Sequence, residues 1–370
     1  MSHPQPTAAS TSRPPWTIRV ATVFGIPIRI HATFLLFLAW VSVINSSANG
    51  IAWTLFIVAV FVCVLLHELG HALVARRFGV HTKDITLYPI GGVAVLEGRP
   101  KPKQELWIAL AGPMVNVVLS VVLVGFLFVF EGGFSHLMGG AQKITLLDFL
   151  LVANVTLALF NLIPAFPMDG GRVLRAALAM AMPEARATQI AGGIGQGLAF
   201  VIGLIGVLQQ SIVLMLIAFF IFLGASQEIS STVTRSFLQG HTMADAMQTR
   251  FRTIMSGDSL ERAANMLLDG SQHDFPVING DEVLGILMRN NIVQGLSMDG
   301  PSAYVASVMQ REFKSVSPDA PLESAFELFP QADPSPILIF KEDRLIGMLT
   351  LENLSEFVML EHAKARSIGR

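Results

Sequence analysis

The chain has 370 residues, 52% of them hydrophobic and only 14% charged, with a formal net charge of −2 and a mean hydropathy of +0.58. So much apolar surface exceeds what a single soluble core requires and places part of the chain in lipid, while the absence of a basic excess gives no reason to expect nucleic acid as a partner. The lone cysteine, Cys63, excludes an intramolecular disulfide framework and a multi-cysteine zinc knuckle, so metal ligands must come mainly from His, Asp or Glu.

Residues 1–20 are rich in Ser, Thr and Pro and read as a disordered cytoplasmic tail. Crossing a hydrocarbon core of about 30 Å takes about 20 apolar residues, and six stretches are candidates: 28–45, 51–76, 106–130, 147–164, 189–208 and 212–226. The last two could be one long helix kinked at Gln209-Gln210, but their combined length better suits a tight hairpin. If the N-terminus is cytoplasmic, the inner loops hold Arg13, Arg19, Arg29, Arg76, Arg77, Lys83, Arg99, Lys101, Lys103, Arg172, Arg175 and Arg186, and the outer loops hold Lys143. This asymmetry follows the positive-inside rule and predicts that both chain ends face the cytoplasm.

The second stretch contains His67-Glu68-Leu69-Gly70-His71. Positions four apart share a helix face, so two imidazoles in this H-E-x-x-H pattern can hold one zinc while the glutamate reaches its water. Ionisable groups inside an apolar helix are costly and usually mark function; the plain alternative is a pair of interfacial histidines beside Arg76 and Arg77. A catalytic zinc takes three protein ligands. Asp169 is the candidate third, at the end of Asn161-Leu-Ile-Pro164-Ala-Phe-Pro167-Met-Asp169-Gly170-Gly171. The prolines end the helix before it, and the competing reading makes Asp169 an N-cap for a helix over 172–181.

These paired elements resemble the site-2 protease family of intramembrane zinc proteases, whose H-E-x-x-H and N-x-x-P-x-x-x-x-D-G signature His67, Glu68, His71, Asn161, Pro164, Asp169 and Gly170 fill. The resemblance covers about residues 20–228 and extends to Gly91-Gly92-Val93-Ala94 and Gly112-Pro113-Met114-Val115-Asn116. It implies that His67, His71 and Asp169 ligate one Zn2+ per chain, that Glu68 is the general base and acid, and that Asn161 helps hold the oxyanion. Residues 86–98 suggest a β-hairpin near the site, whose edge could pair with an unwound substrate. Gly91, Gly92, Val93 and Asn116 are accordingly candidate substrate contacts, with a hydrogen bond between helices near the site, or simple helix packing, as the other readings of Asn116. Cys63 reads as a small buried hydrophobe, and His81 and His31 as surface or interfacial histidines.

Beyond about residue 240 the composition turns to that of a soluble α/β unit. An ungapped repeat appears at an offset of 62: Ile254, Leu260, Glu261, Ala263, Asp281, Gly285, Leu287 and Asn291 fall on Val316, Leu322, Glu323, Ala325, Asp343, Gly347, Leu349 and Asn353. Each copy reads as a helix (260–268, 322–329), a strand (275–278, 336–340), a turn and a second strand leading into a helix. The pair resembles tandem cystathionine-β-synthase (CBS) domains, a module associated with adenosine nucleotides. Thr350 and Asn353 match the ribose and phosphate positions of that module, while Met288 replaces the hydroxyl in the first copy; a purely structural or homodimerising pair is the alternative.

The expected architecture is thus a polytopic α-helical membrane domain of about six transmembrane helices (21–228), a linker (229–240), two CBS domains (241–300 and 301–362) and a tail (363–370). The implied activity is zinc endopeptidase cleavage of single-span membrane proteins, such as anti-sigma factors or remnant signal peptides, in a bacterial inner membrane. A transporter or channel gated by the CBS pair is the rival, and it predicts charges spread over several spans rather than concentrated in one constellation.

Overall fold

The computed structural model describes residues 16–44, 50–130, 145–329 and 335–368. They form two compact units that divide between Thr232 and Val233.

The first unit opens with two antiparallel strands, β1 (Thr17–Val23) and β2 (Ile26–His31). Their turn is made by Phe24 and Gly25, both at positive φ, 51° and 83°, the conformation that two-residue hairpins favour. This corrects two expectations: the tail is already strand from Thr17, and the stretch 28–45 is not one span, because helix α1 (Ala32–Ile44) starts only where β2 ends. After helix α2 (Gly50–Arg77) come β3 (His81–Tyr88), parallel to β2, and β4 (Gly91–Glu97), antiparallel to β3. The hairpin expected over 86–98 is therefore present and begins earlier. The sheet order β1-β2-β3-β4 leaves β4 at an edge. Ile26 and Ile85 from its inner face pack with Leu69 and Ala72 of α2, on the helical turns that carry the two histidines.

Helix α3 (Pro102–Phe130) lies against α2. Close approach depends on Gly70, where a Cβ would stand 2.7 Å from Val115 Cγ2 and 3.0 Å from the Ala111 carbonyl oxygen. Helix α4 (Leu146–Asn161) starts at a capping box of Thr145 and Asp148, and it ends short of Pro164, as that residue requires. Helix α5 (Asp169–Ala179) follows, with Met168 rather than Asp169 at its N-cap. At Gly170 a Cβ would come within 2.3 Å of the Ile163 carbonyl oxygen, so the chain doubles back tightly just before α5. Helices α6 (Glu184–Leu208) and α7 (Ile212–Ser236) form the expected hairpin, turning at Gln210 with φ 52°.

Among the described residues, four helices are long and apolar enough to cross a membrane: Trp53–Arg77, Pro102–Val129, Glu184–Leu208 and Ile212–Ser236. The other apolar helices, α1 and α4, have 13 and 16 residues. The stretch 229–240, expected as a linker, is helical as far as Ser236, because α7 continues unbroken past residue 226; the chain turns at Gly240, φ 81°.

The second unit holds the two repeats. In the first, β5 (Ile254–Met255) runs parallel to β6 (Phe275–Asn279), which pairs antiparallel with β7 (Glu282–Leu287). In the second, β8 (Lys314–Val316), β9 (Ile337–Lys341) and β10 (Arg344–Leu349) repeat that pattern. Helices α8 (Leu260–Leu268) and α9 (Arg289–Met298) belong to the first copy and α10 (Leu351–Ile368) to the second. The segment leading into each copy packs on the other: Leu238 and Met243 lie in the core with Leu322, Ile337 and Leu349, and Val305 lies with Leu260, Phe275 and Leu287. A third apolar cluster, Ile286, Leu338 and Met348, joins the two copies. Such an exchange of segments makes the pair one folding unit.

Candidate metal centre

Helix α2 carries His67 and His71 one turn apart, and α5 brings in Asp169 at its first residue. The two Nε2 atoms are 3.1 Å apart, and each is 3.1 Å from Asp169 Oδ2. All three side chains are buried. Ligands bound near-tetrahedrally at about 2.0–2.1 Å from one zinc would stand about 3.3 Å apart, close to this triangle.

Hydrogen bonding on the far side of each ring supports the fit. His71 Nδ1 is 2.6 Å from the Ile108 carbonyl oxygen, which can only accept, so Nδ1 carries the proton and Nε2 presents a lone pair. His67 Nδ1 is 2.5 Å from Asn116 Oδ1, which has the same consequence. Two lone pairs and a carboxylate oxygen thus converge with no donor between them. Three acceptors buried together repel one another unless a cation joins them, and N/N/O donors at this spacing suit zinc. Among the described residues these three form the metal-ligating cluster. Gly112 of α3 makes room for it: a Cβ there would lie 2.2 Å from His71 Nε2 and 2.6 Å from His67 Nε2.

The outer oxygen of Asp169 is faced by Arg172, with Nη1 3.9 Å from Oδ1. Arg172 Nε also lies 4.0 Å from Glu105 Oε1. Arg175, one turn further along α5, is buried and bridges Glu105 of α3 to Glu228 of α7, with its guanidinium over the Phe166 ring. These ion pairs tie α5 to two neighbours and hold its first residue against α2.

Glu68 is half-buried beside the cluster. A Cβ at Gly92 of β4 would meet its Cγ at 2.6 Å and its Oε1 at 3.5 Å, so the edge strand runs directly past the carboxylate. Gly91 and Gly92 are half-buried and Val93 is exposed on the same strand. Asn161 is half-buried at the end of α4. Asn116, a candidate substrate contact, is fully buried behind the cluster, and its amide bonds His67 and Asn154, the hydrogen bonding between helices that is one of its other readings. Cys63 is buried, as expected, and its Sγ accepts from Asn154. His81 is exposed at the start of β3, and His31 bonds Thr33 and stacks on Tyr88.

In the second unit, Thr350 and Asn353 stand at the start of α10. Asn353 N donates to Thr350 Oγ1 at 3.1 Å, and Thr350 Oγ1 donates to Asn353 Oδ1 at 2.8 Å. The pair acts as a helix cap, which Met288 at the start of α9 cannot reproduce.

Sequence reasoning singled out neither Asn154 nor Arg172 as site residues. An amide isolated in an apolar helix was the available signal for the first. For the second it was the i, i+3 spacing from Asp169.

The model of peptidase family M50 matches residues 55–145 and 134–204, and that of the CBS domain matches residues 243–297 and 305–360. Zinc metalloprotease MJ0392 of Methanocaldococcus jannaschii is 36% identical over 277 residues, covering 75% of this chain and 79% of that protein. The sll0528 protein of Synechocystis sp. is 30% identical over 358 residues, covering 90% of this chain and 93% of that one. Among solved structures, the site-2 protease from M. jannaschii is 41% identical, covers 58% of this chain and 95% of that chain, and superposes with a TM-score of 0.43. The extent and identity of the MJ0392 match, joined to the H-E-x-x-H and aspartate cluster, show that this multi-pass membrane protein belongs to the M50 family of site-2 zinc metalloproteases and carries a C-terminal pair of CBS domains.

Proposed function

We propose that the chain is an endopeptidase that cuts single-span membrane proteins at the cluster of His67, His71 and Asp169, with Glu68 as proton carrier. The observation that carries this reading is the run of edge strand β4 past Glu68, in contact at Gly92. An unwound substrate that adds to this edge places its backbone at the carboxylate through main-chain hydrogen bonds, which demand little of the substrate's side chains. Such selectivity suits substrates of the anti-sigma-factor or remnant-signal-peptide kind.

His67, His71 and Asp169 would hold zinc, whose Lewis acidity brings the pKa of a bound water towards neutrality. Glu68 takes the proton from the attacking water and later delivers it to the leaving amine. The Asn161 amide donates to the carbonyl oxygen as negative charge develops there. Purified full-length protein and Glu68→Gln, both zinc-loaded, compared on a panel of single-span substrates, test the assignment. Cleavage should be lost in the variant while zinc is kept, and equal cleavage by both would refute it.

The loop charges support six crossings, counting the shorter apolar helices α1 and α4, with both ends in the cytoplasm of a bacterial cell. A reporter fused after Arg235 should signal from the cytoplasm and one inserted between Glu131 and Lys143 from outside; the reverse result overturns this topology.

The CBS pair we read as a sensor of an adenosine nucleotide through its second copy, supported by the hydroxyl and amide of Thr350 and Asn353 at a helix start, where phosphate is favoured. A ligand acts on the protease only through its differential affinity for two arrangements of the chain. Calorimetry of the full chain with ATP, ADP and AMP should show one of them binding and Thr350→Ala weakening it. Silence at millimolar concentration would leave the pair a structural or dimerising element.

A further inference from the structure

Behind the metal cluster runs a chain of buried amides for which the proposed chemistry has no use. His67 Nδ1 meets Asn116 Oδ1 at 2.5 Å. Asn116 Nδ2 donates to Asn154 Oδ1 at 3.0 Å. Asn154 Nδ2 donates to the Leu150 carbonyl oxygen at 2.9 Å and to Cys63 Sγ at 3.3 Å. Both asparagines are fully buried, each with 0% exposure, in helices made mostly of apolar residues. Their orientations are therefore set by one another rather than by water.

The polarity of this relay has a fixed origin. A backbone carbonyl can only accept, so the end of Asn154 facing Leu150 must be its NH2, and its Oδ1 must face Asn116. Asn116 must then present its own NH2 to that oxygen and its Oδ1 to His67. An oxygen there requires the proton of His67 on Nδ1, which leaves the Nε2 lone pair facing Asp169 and His71. A flip of either amide would set oxygen against oxygen, or would favour the tautomer with a proton on Nε2, where a metal must bind.

We propose that Asn154, separated from the metal position by two side chains, is a positioning residue that fixes the metal-binding tautomer of His67 through Asn116. The inference rests on the zinc reading of the cluster. Partners in the outer shell of a metal site are worth about 10–100-fold in metal affinity, and a residue acting through an intermediary belongs at the lower end.

The test is zinc affinity of the full-length protein in detergent, measured by chelator competition, for the wild type, Asn154→Leu, Asn154→Asp, Asn116→Leu and the double leucine variant. Asn154→Leu should bind zinc about tenfold more weakly. Asn154→Asp keeps an acceptor towards Asn116 and, protonated on its other oxygen, a donor towards Leu150. It should stay within about threefold of the wild type. In the Asn116→Leu background, Asn154→Leu should cost nothing further, because the relay is already cut. A packing role predicts the opposite order, since apolar leucine suits this interior better than an acid. Should Asn154→Leu fail to fold, as judged by melting of the metal-free protein, Asn154→Ala takes its place in the same comparison. The inference is overturned if the leucine (or alanine) variant binds as tightly as the aspartate variant, or if the two positions contribute additively. A wild type that holds no stoichiometric zinc would instead sink the metal reading itself, before any variant is compared.

Discussion

Gly112→Ala is the sharpest perturbation of the centre that leaves every ligand in place. The added methyl would stand 2.2 Å from His71 Nε2, 2.5 Å from its Cε1 and 2.6 Å from His67 Nε2. Ordinary contact begins at 3.4 Å, so the His71 ring or one of the helices must give by 3.4 − 2.2 = 1.2 Å. Neither is free to do so. His71 is held from behind at 2.6 Å by the Ile108 carbonyl, and α2 already touches α3 at Gly70. Overpacking of this kind costs about 1–3 kcal/mol, and a misplacement of about 1 Å at a reacting centre costs on the order of 100-fold in rate. Zinc–nitrogen bonds of about 2.0–2.1 Å tolerate no such shift, so the variant should lose both zinc and cleavage. Gly125→Ala, on the same helix with nothing within 4 Å of the new Cβ, is the control and should keep both. Zinc content by mass spectrometry alongside a cleavage assay reads the result. Full occupancy and full activity in Gly112→Ala would refute the derived geometry.

Gly92→Val should spare the metal and reduce turnover, because the new side chain first meets Glu68 Cγ, at 2.6 Å, and that flexible side chain can swing away from the centre; zinc content and kcat measured together check this. Asp169→Ala, which removes one of three ligands, should weaken zinc binding as well as activity, whereas Asn161→Ala should retain zinc while turnover falls on the order of 100-fold, as for other oxyanion donors. Normal zinc content in Asp169→Ala would show that the third ligand lies elsewhere. Gly285→Ala in the CBS pair would set a Cβ 2.3 Å from the Gln310 carbonyl oxygen and should destabilise that unit by about 1–3 kcal/mol, visible as a lowered melting transition with zinc content unchanged.

Much of the site was legible because its geometry is local. The i, i+4 spacing puts His67 and His71 on one face without reference to the rest of the fold, and Pro164 and Pro167 announce the break that lets Asp169 turn inward. The repeat at offset 62 was legible for the same reason, and α8 runs over Leu260–Leu268 as expected. What escaped was either masked by hydropathy or non-local. The run Ile26-Pro-Ile-Arg-Ile-His is strand, yet it leads straight into an apolar helix, and apolar content alone cannot separate the two. Which way Asn116 points depends on the rotational phase of α3, and it bonds between helices at the site rather than lying open as a substrate contact. The clue was its i, i+4 relation to Gly112, the residue that abuts both imidazoles. The exchange of Met243 and Val305 between repeats leaves no local trace, since each residue satisfies its own periodicity whichever core receives it.

The polar groups inside the first unit argue jointly for the metal. In an apolar interior an unsatisfied donor or acceptor costs several kcal/mol, and buried groups around the centre meet that demand with partners of their own. Arg175 is shared by Glu105 and Glu228, Asn116 and Asn154 satisfy each other and the groups beside them, and His71 Nδ1 is spoken for by a carbonyl. At the inward triangle of two imidazole nitrogens and one carboxylate oxygen, by contrast, three acceptors face one another at 3.1 Å. Protonating a ring would relieve the repulsion, but with the Nδ1 protons already in place it would bury an imidazolium. A divalent cation relieves all three at once. The amide relay behind His67 and the Ile108 carbonyl behind His71 keep both Nδ1 atoms protonated and both Nε2 lone pairs turned to the metal position, so the apolar surroundings, the buried amides and the H-E-x-x-H spacing are parts of one arrangement.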